Sequence, residues 1–281
     1  MLYQDSQTNK VYFSKLLKKN YTKFSKELFK ILDKHSINYE LISNTKDIWM
    51  RDYMPIQKKN GIFIRYIHKP DYLVGYSTLR TKPKHASKFL NTTKIIDLEL
   101  NLDGGNIVKY ENKIICTSKI FKANSNFSKK EILEILKSKL SIEEVIIIPE
   151  QQFDMTGHSD GLVRFIDKSR VMISPYKKED SKFGKELIAS LLKHNLEIMT
   201  LPSKGYFIEN DGATWIPYIN YMHVKNLLIL PVVGNKVDND VIEFFKQHFP
   251  SCTIEWLDTT KIIEQGGALN CISWNIYEEE I

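Results

Sequence analysis

The chain has little cysteine, no long apolar run and no phosphate-cradling motif, and each lack removes a class of protein. Its three cysteines, Cys116, Cys252 and Cys271, are too few and too odd in number for a disulfide framework and fit a reducing compartment. The opening MLYQDSQTNKVYF has no continuous apolar segment of the kind a signal peptide carries. No stretch approaches the ~20 apolar residues that span a bilayer. A cytoplasmic protein with no membrane partner is expected. There is no G-x-G-x-x-G, no P-loop and no His/Cys/Asp/Glu spacing suited to a metal, so neither metal nor organic cofactor is expected. The net charge of +6 comes from 40 Lys+Arg against 34 Asp+Glu, and the surplus is dispersed over KLLKKN, SKKEI and YKKED. Nowhere does it cluster with aromatics, which excludes a nucleic-acid module.

What is there is enough for a large core: 281 residues, 42% hydrophobic. Five segments carry helical periodicity: Phe24–Leu32, Pro83–Leu90, the stretch from Ser128 to Leu140 with its Ser-x-x-Glu capping pattern, Phe183–Leu192, and Val241–Phe249 stopped by Pro250. Each precedes a short strand-like run: NYELI, KIIDLEL, EVIIIP, LEIMTL and TIEWL. Further strand candidates lie between helices, several as hairpin-like pairs: IFIRYI, IVKY, KIICT, LVRFI, RVMIS, YINYMHV and LLILP. One helix plus several strands thus recurs five times at a spacing of roughly 45–60 residues, the mark of a repeat or propeller architecture. An open α/β sheet is the competing reading, but simple βαβ alternation would supply one strand per helix. No linker or composition break divides the chain, so residues 1–281 are expected to form one catalytic domain.

Four polar motifs occupy equivalent places, after a β-run and before a hairpin or last strand. They are Asp47-Ile48-Trp49-Met50-Arg51-Asp52-Tyr53-Met54-Pro55, Leu102-Asp103-Gly104-Gly105-Asn106, Asp154 through Gly161 with Gly157-His158-Ser159-Asp160 at its centre, and Gln265 through Cys271. A closed propeller would bring such places together at its axis. Cys271, after a glycine pair and with a His and an Asp elsewhere, has the look of a thiolate nucleophile with its base. Taken singly these residues have ordinary readings too: an inert thiol, a structural histidine, an Asp52–Arg51 ion pair, an Asp-Gly-Gly turn. Strand-like i, i+2 spacing would turn His158 and Asp160 to one face. His35, His68, His85, His194, His223 and His248 lack such company and read as surface or packing residues.

Together the motifs resemble those of the agmatine deiminase and bacterial peptidylarginine deiminase family of the guanidine-modifying pentein superfamily, from about residue 45 to the C-terminus. Trp49, Arg51, Asp52 and Pro55 match W-x-R-D-x-x-P, Asp103 to Asn106 match [ED]-G-G-N, and Gly157, His158, Asp160, Arg164 and Phe165 match G-H-x-D-x-x-x-R-F. The family's S-Y-x-N segment is approximated by Trp215 through Asn220, and its G-G-x-x-H-C ending by Gly266 through Cys271. The resemblance implies an α/β five-bladed propeller, the pentein fold, and hydrolytic deimination of a guanidino compound. Asp52 and Asp160 would grip the guanidinium, Cys271 would attack its carbon, and His158 would move the protons. It further implies a substrate-lining role for Trp49, Asp103 and Asn220, with no metal or cofactor.

The chain also departs from the pattern. Asn270 stands where a His commonly precedes the cysteine, Tyr53-Met54 replaces T-G, and Ile64 through Tyr72 replaces an aromatic, glycine-rich stretch. Arg65 or Lys69 in that stretch is a candidate for pairing with a substrate carboxylate. The expected partner is therefore a small guanidino molecule or an arginyl peptide, with a homo-oligomer left open. Amidino transfer on the same fold, or guanidine binding without catalysis, are the alternatives.

Overall fold

The computed structural model describes residues 1–90, 94–152, 154–176, 181–203, 206–209, 212–215 and 217–279; of residue 181 and of the segments 206–209 and 212–215 only the backbone is described. The strand order β1 to β17 follows the chain. β1 (Lys10–Ser14) runs parallel to β2 (Asn38–Ile42), which it reaches through the helix Thr22–Lys34. β3 (Ile56–Lys58) and β4 (Ile62–Ile67) are antiparallel, and β5 (Ile95–Asn101) lies parallel to β4 after the short helix Pro83–Ala86. The same plan repeats in β6 (Val108–Tyr110), β7 (Lys113–Thr117) and β8 (Glu144–Ile148), with the helix Lys129–Leu140 before the parallel strand. It repeats again in β9 (Val163–Phe165), β10 (Arg170–Ile173) and β11 (Glu197–Thr200), around the helix Ser181–Leu192. A separate hairpin, β12 (Tyr206–Glu209) with β13 (Gly212–Trp215), follows. The last repeat is β14 (Met222–Val224), β15 (Leu227–Val232) and β16 (Thr253–Asp258), around the helix Lys236–His248. Finally β17 (Trp274–Ile276) returns antiparallel to β1 and completes the first sheet.

Five three-stranded sheets therefore share one plan, an antiparallel pair followed by a helical crossover to a parallel strand. Four of the five expected helices and all five strand-like runs are present; the second helix is one α-turn, Pro83–Ala86, continued by a 3-10 turn, Ser87–Phe89. β1, β3 and the β12–β13 hairpin lie outside the strand runs read from sequence. The Ser128–Glu131 capping box forms, with Ser128 Oγ accepting from the Glu131 N–H at 3.2 Å and the Glu131 carboxylate accepting from the Ser128 N–H at 2.7 Å. β15, paired on both sides, is buried along its whole length, as an apolar central strand must be.

The cores show how the sheets are arranged. Each of five apolar clusters sits between successive sheets. Phe63 of β4 packs with Tyr12 of β1 and Trp274 of β17. Leu98 of β5 packs with Ile114 of β7. Ile115 of β7 packs with Val171 of β10, and Met172 of β10 with Leu228 of β15. Ile229 of β15 packs with Phe13 of β1, which returns to the start. Hydrophobic burial thus closes the sheets into a ring and makes them the five blades of a propeller. The polar motifs, at the entrances of the blades, converge inside it.

Candidate active site

Asp52, Trp49, His158, Asp160, Asn220 and Cys271 line one cavity of about 770 Å³, although they are spread over some two hundred residues of sequence. Asp103 lies just behind its wall, and Arg65 lies elsewhere.

Local structure explains why each side chain arrives. Asp52 sits on the one-turn helix Met50–Tyr53, whose backbone is pinned by Tyr66: its hydroxyl donates to the carbonyls of Asp52 (2.8 Å) and Met54 (2.9 Å). Gly105 then donates its N–H to Asp52 Oδ1 at 3.0 Å, while its carbonyl accepts from the Asp160 N–H at 3.0 Å. A Cβ on Gly105 would lie 2.6 Å from His158 Nδ1 and 2.7 Å from Asp52 Oδ1, so only glycine lets these groups approach. Gly267 acts similarly: its Cβ would meet the Trp49 ring at 2.5 Å, and its absence allows the indole to lie beside Cys271. His158 and Asp160 are presented by a loop and turn rather than by the extended strand that their i, i+2 spacing suggests; β9 begins only at Val163.

Cys271 lies on the one-turn helix Leu269–Ile272. Its N–H donates to Asn220 Oδ1 at 3.2 Å and its Sγ stands 3.6 Å from Asp160 Oδ2. The same Asp160 oxygen accepts from Asn270 Nδ2 at 2.7 Å, so Asn270, in the place where the family pattern has His, holds the carboxylate. Asn220 positions the backbone of Cys271 as well as lining the cavity. Arg51 ties the first motif to the last, donating to the Asn270 carbonyl at 3.3 Å and to Asn275 Oδ1 at 2.8 Å.

His158 is held between two carboxylates. Its Nε2 is 3.1 Å from Asp103 Oδ2 and its Nδ1 is 3.5 Å from Asp52 Oδ1. Asp103, expected to line the substrate, instead backs His158 and is absent from the cavity wall. Its second oxygen lies 3.0 Å from His68 Nδ1, although the angle is too poor for a hydrogen bond. His68 itself is buried, lines the cavity and stacks edge-on to Tyr53, so the packing assignment missed its place in the site. Asp47, which accepts from the Trp49 N–H at 2.8 Å, and Tyr72, whose ring meets His158 edge-on at 6.0 Å, also line the cavity without having been singled out for it.

Arg65 is a correction. β4 alternates, so Ile64 and Tyr66 enter the core of the second and third blades while Arg65 faces the other way. There it forms a bidentate pair with Asp97, at 2.6 and 2.8 Å, and takes no part in the cavity. Lys69 is exposed and likewise does not line it. Ile216, within the segment compared with S-Y-x-N, lies outside the described residues.

The electrostatics follow from burying several carboxylates together. Burial, reinforced by Asp103 and Asp160, lifts Asp52 to about 6 despite the neighbouring His158. Burial also raises Asp47, to about 7. Burial opposes the charge on His158, but Asp52, Asp103 and Asp160 outweigh it and raise the imidazolium to about 9. Burial would raise Asp103 as well, yet its contacts with His158 and His68 hold it well below the usual carboxylate range. Burial, then the charges of Asp160 and Asp52, push the Cys271 thiol well above its ordinary value. At neutral pH the site therefore sets a thiol and an imidazolium among carboxylates. Among the described residues no group of three or more His, Cys, Asp and Glu side chains is arranged to hold a metal ion, and no helix is long and apolar enough to cross a membrane.

A ring of five blades on this plan is the pentein fold. Residues 7–276 match the family described as Porphyromonas-type peptidyl-arginine deiminase, and the chain belongs to that family. A protein named an agmatine deiminase in Marinomonas sp. is 23% identical over 212 residues, covering 64% of this chain; the chain spans 58% of that relative's length. One so named in Pectobacterium atrosepticum is 23% identical over 282 residues, covering 85% of this chain and 77% of its own. Among solved structures, the C. jejuni agmatine deiminase with substrate bound superposes with a TM-score of 0.85 at 18% identity, over 100% of this chain and 97% of that one. DDAH from Pseudomonas aeruginosa, complexed with citrulline, gives 0.59 at 11%, over 96% and 99%.

Proposed function

We propose that the protein hydrolyses a guanidino compound to the ureido product and ammonia. The observation that carries this reading is the thiol of Cys271 standing 3.6 Å from Asp160, in a cavity shared with Asp52 and a charged His158. A guanidinium carbon is a poor electrophile because resonance spreads its charge. Two carboxylates gripping its N–H groups fix the carbon in line with sulfur and lower the entropic part of the barrier.

The cation also changes the nucleophile. Asp160 and Asp52 oppose thiolate formation; a bound guanidinium neutralises that opposition, and the thiol proton is lost to solvent as the cation binds, since His158 is already protonated. Cys271 Sγ then bonds to the guanidinium carbon, and His158 gives its proton to the departing nitrogen as the C–N bond breaks. The resulting amidino-thioether is attacked by water, whose proton His158 takes back. The C–S bond breaks and the ureido product leaves, with Cys271 restored.

Charge on the cavity wall narrows the substrate. The described lining residues include Asp47, Asp52, Asp154 and Asp160 but neither Lys nor Arg. An arginine-type α-carboxylate would find no cation there, whereas a second amino group would find acid. The reading is therefore a deiminase of an agmatine-like guanidino amine. Ammonia release measured over agmatine, arginine, N-acyl arginine esters and arginyl peptides tests it: turnover should be highest with agmatine. No ammonia from any of them would reject the hydrolase.

A further inference from the structure

Lys119 is a buried cation that the chemistry above does not use. Its residue is only 5% exposed. Its Nζ reaches out of the short helix Lys119–Ala123 to two segments that flank the cavity. On one side it pairs with Asp71 Oδ1 at 2.7 Å and lies 4.9 Å from the centre of the Tyr72 ring. On the other it donates to the Thr156 carbonyl at 2.6 Å, two residues before His158. Asp71 is unlike its partner, with a side chain 74% exposed, and its Oδ1 also accepts from the Tyr72 N–H at 3.0 Å.

The segment that Asp71 and Tyr72 begin is a strap across the cavity mouth. It consists of single turns at Asp71–Leu73 and Ser77–Leu79 joined through Gly75, whose φ of +87° and empty surroundings mark it as weakly held. Leu73 and Leu79 line the cavity, while Val74 and Tyr76 are 76% and 64% exposed. Below the strap, the chain is fastened by Asn101, which accepts from the Lys69 N–H at 2.8 Å and donates to its carbonyl at 2.9 Å. Above that point, among the described residues, the polar attachment of Asp71 and Tyr72 to another element is Lys119. Lifting the strap would strip Lys119 of its carboxylate and its ring together, leaving a buried cation with a carbonyl, which is costly.

We infer that Lys119 is a positioning residue: it latches the strap 70–79 to the loop presenting His158, sets Tyr72 against the imidazole, and restricts entry to Cys271. The consequence for turnover rests on the deiminase reading; the latch itself does not. It is tested by the rate at which iodoacetamide alkylates each cysteine, resolved by peptide mass spectrometry, with half-buried Cys252 as the internal reference. Lys119→Met should speed labelling of Cys271 about tenfold and leave Cys252 unchanged, the loss of a charge-assisted contact setting the scale. Asp71→Ala, at an exposed side chain where folding is not at risk, should speed it about threefold to fivefold by the same loss. Lys119→Arg, keeping the charge, should recover most of the protection. In turnover, KM should rise more than kcat falls. Unchanged Cys271 labelling in Asp71→Ala, or equal acceleration at Cys252, overturns the latch. The expected labelling pattern without turnover of any guanidino compound would keep the latch and reject the deiminase.

Discussion

Asp160 borders two pockets that handle buried charge in opposite ways. In the smaller, of about 50 Å³, Arg164 donates to Asp5 at 2.7 Å and lies over the Tyr221 ring, Lys109 donates to Asp5 at 3.2 Å and to the Tyr3 carbonyl, and Arg51 donates to Asn275. Burial would raise Asp5, but Lys109, Arg164 and Arg51 hold it well below the usual carboxylate range. Every cation there has a fixed partner. In the larger pocket Asp47, Asp52, Asp154 and Asp160 outnumber the histidines, His68 and His158, and two carboxyls and a thiol there are raised above their ordinary values. The first pocket is a finished structural joint. The second has neither Lys nor Arg among its described lining residues, which is the condition the proposed grip on a guanidinium requires.

The comparison can be broken most directly at the nucleophile. Cys271→Ala should abolish ammonia release and leave the fold intact, because no other thiol reaches the cavity: Cys116 is buried in a blade core and Cys252 packs near the helix Lys236–His248. In the wild type a trapped adduct should map to Cys271 alone. Full activity of Cys271→Ala would sink the mechanism.

Next in size are the gripping carboxylates. Asp52→Asn and Asp160→Asn should each leave a bound cation underpaired at a cost of about 2–5 kcal/mol. That corresponds to roughly a 30- to several-thousand-fold loss in kcat/KM. Asp167→Asn is the control, since Asp167 only caps a turn and pairs with Arg170 on the surface. Comparable losses in all three would mean that the grip on the guanidinium had been misplaced.

The finished joint should respond in stability instead. Asp5→Ala strips buried Arg164 and half-buried Lys109 of their shared, half-buried carboxylate, and leaving the Arg164 charge underpaired costs about 3 kcal/mol. Tm should drop by several degrees. Unchanged Tm would remove the contrast between the two pockets.

Proton linkage gives a further test. The folded-state pKa of His158, about 9, lies above its unfolded value of 6.5. A raised histidine stabilises fully below the unfolded pKa and loses that contribution as pH rises through the folded one. Thermal melts of the empty protein should therefore fall between pH 6.5 and 9 more steeply in wild type than in His158→Asn. Parallel curves would mean that His158 is not held charged.

Much of this contrast was legible in sequence because it is written locally. The helix and strand periodicities, the glycine pairs and the polar motifs are features of neighbouring residues, and the repeated plan explains why they converge. Asp47 was likewise within reach, since it opens the motif that contains Trp49 and Asp52. His68 was not. It gains its position only when β4 delivers it to Asp103, a partner set by packing between blades. Asp103 shows the same limit: its motif fixed where it would be, and only the fold decided that it faces His158 rather than the cavity.

The smallest effect is expected at Arg65, where sequence suggested a carboxylate clamp. Its guanidinium is taken by Asp97 in a bidentate pair whose carboxylate side chain is 68% exposed. A surface pair of this kind contributes about 0–1 kcal/mol. Arg65→Ala should therefore cost little stability and should change kcat/KM for agmatine and for arginine by the same factor, within about twofold. A selective loss against arginine would place Arg65 at the substrate after all. It would also mean that the cavity recruits a cation which its described wall lacks, and the preference for a guanidino amine would have to be given up.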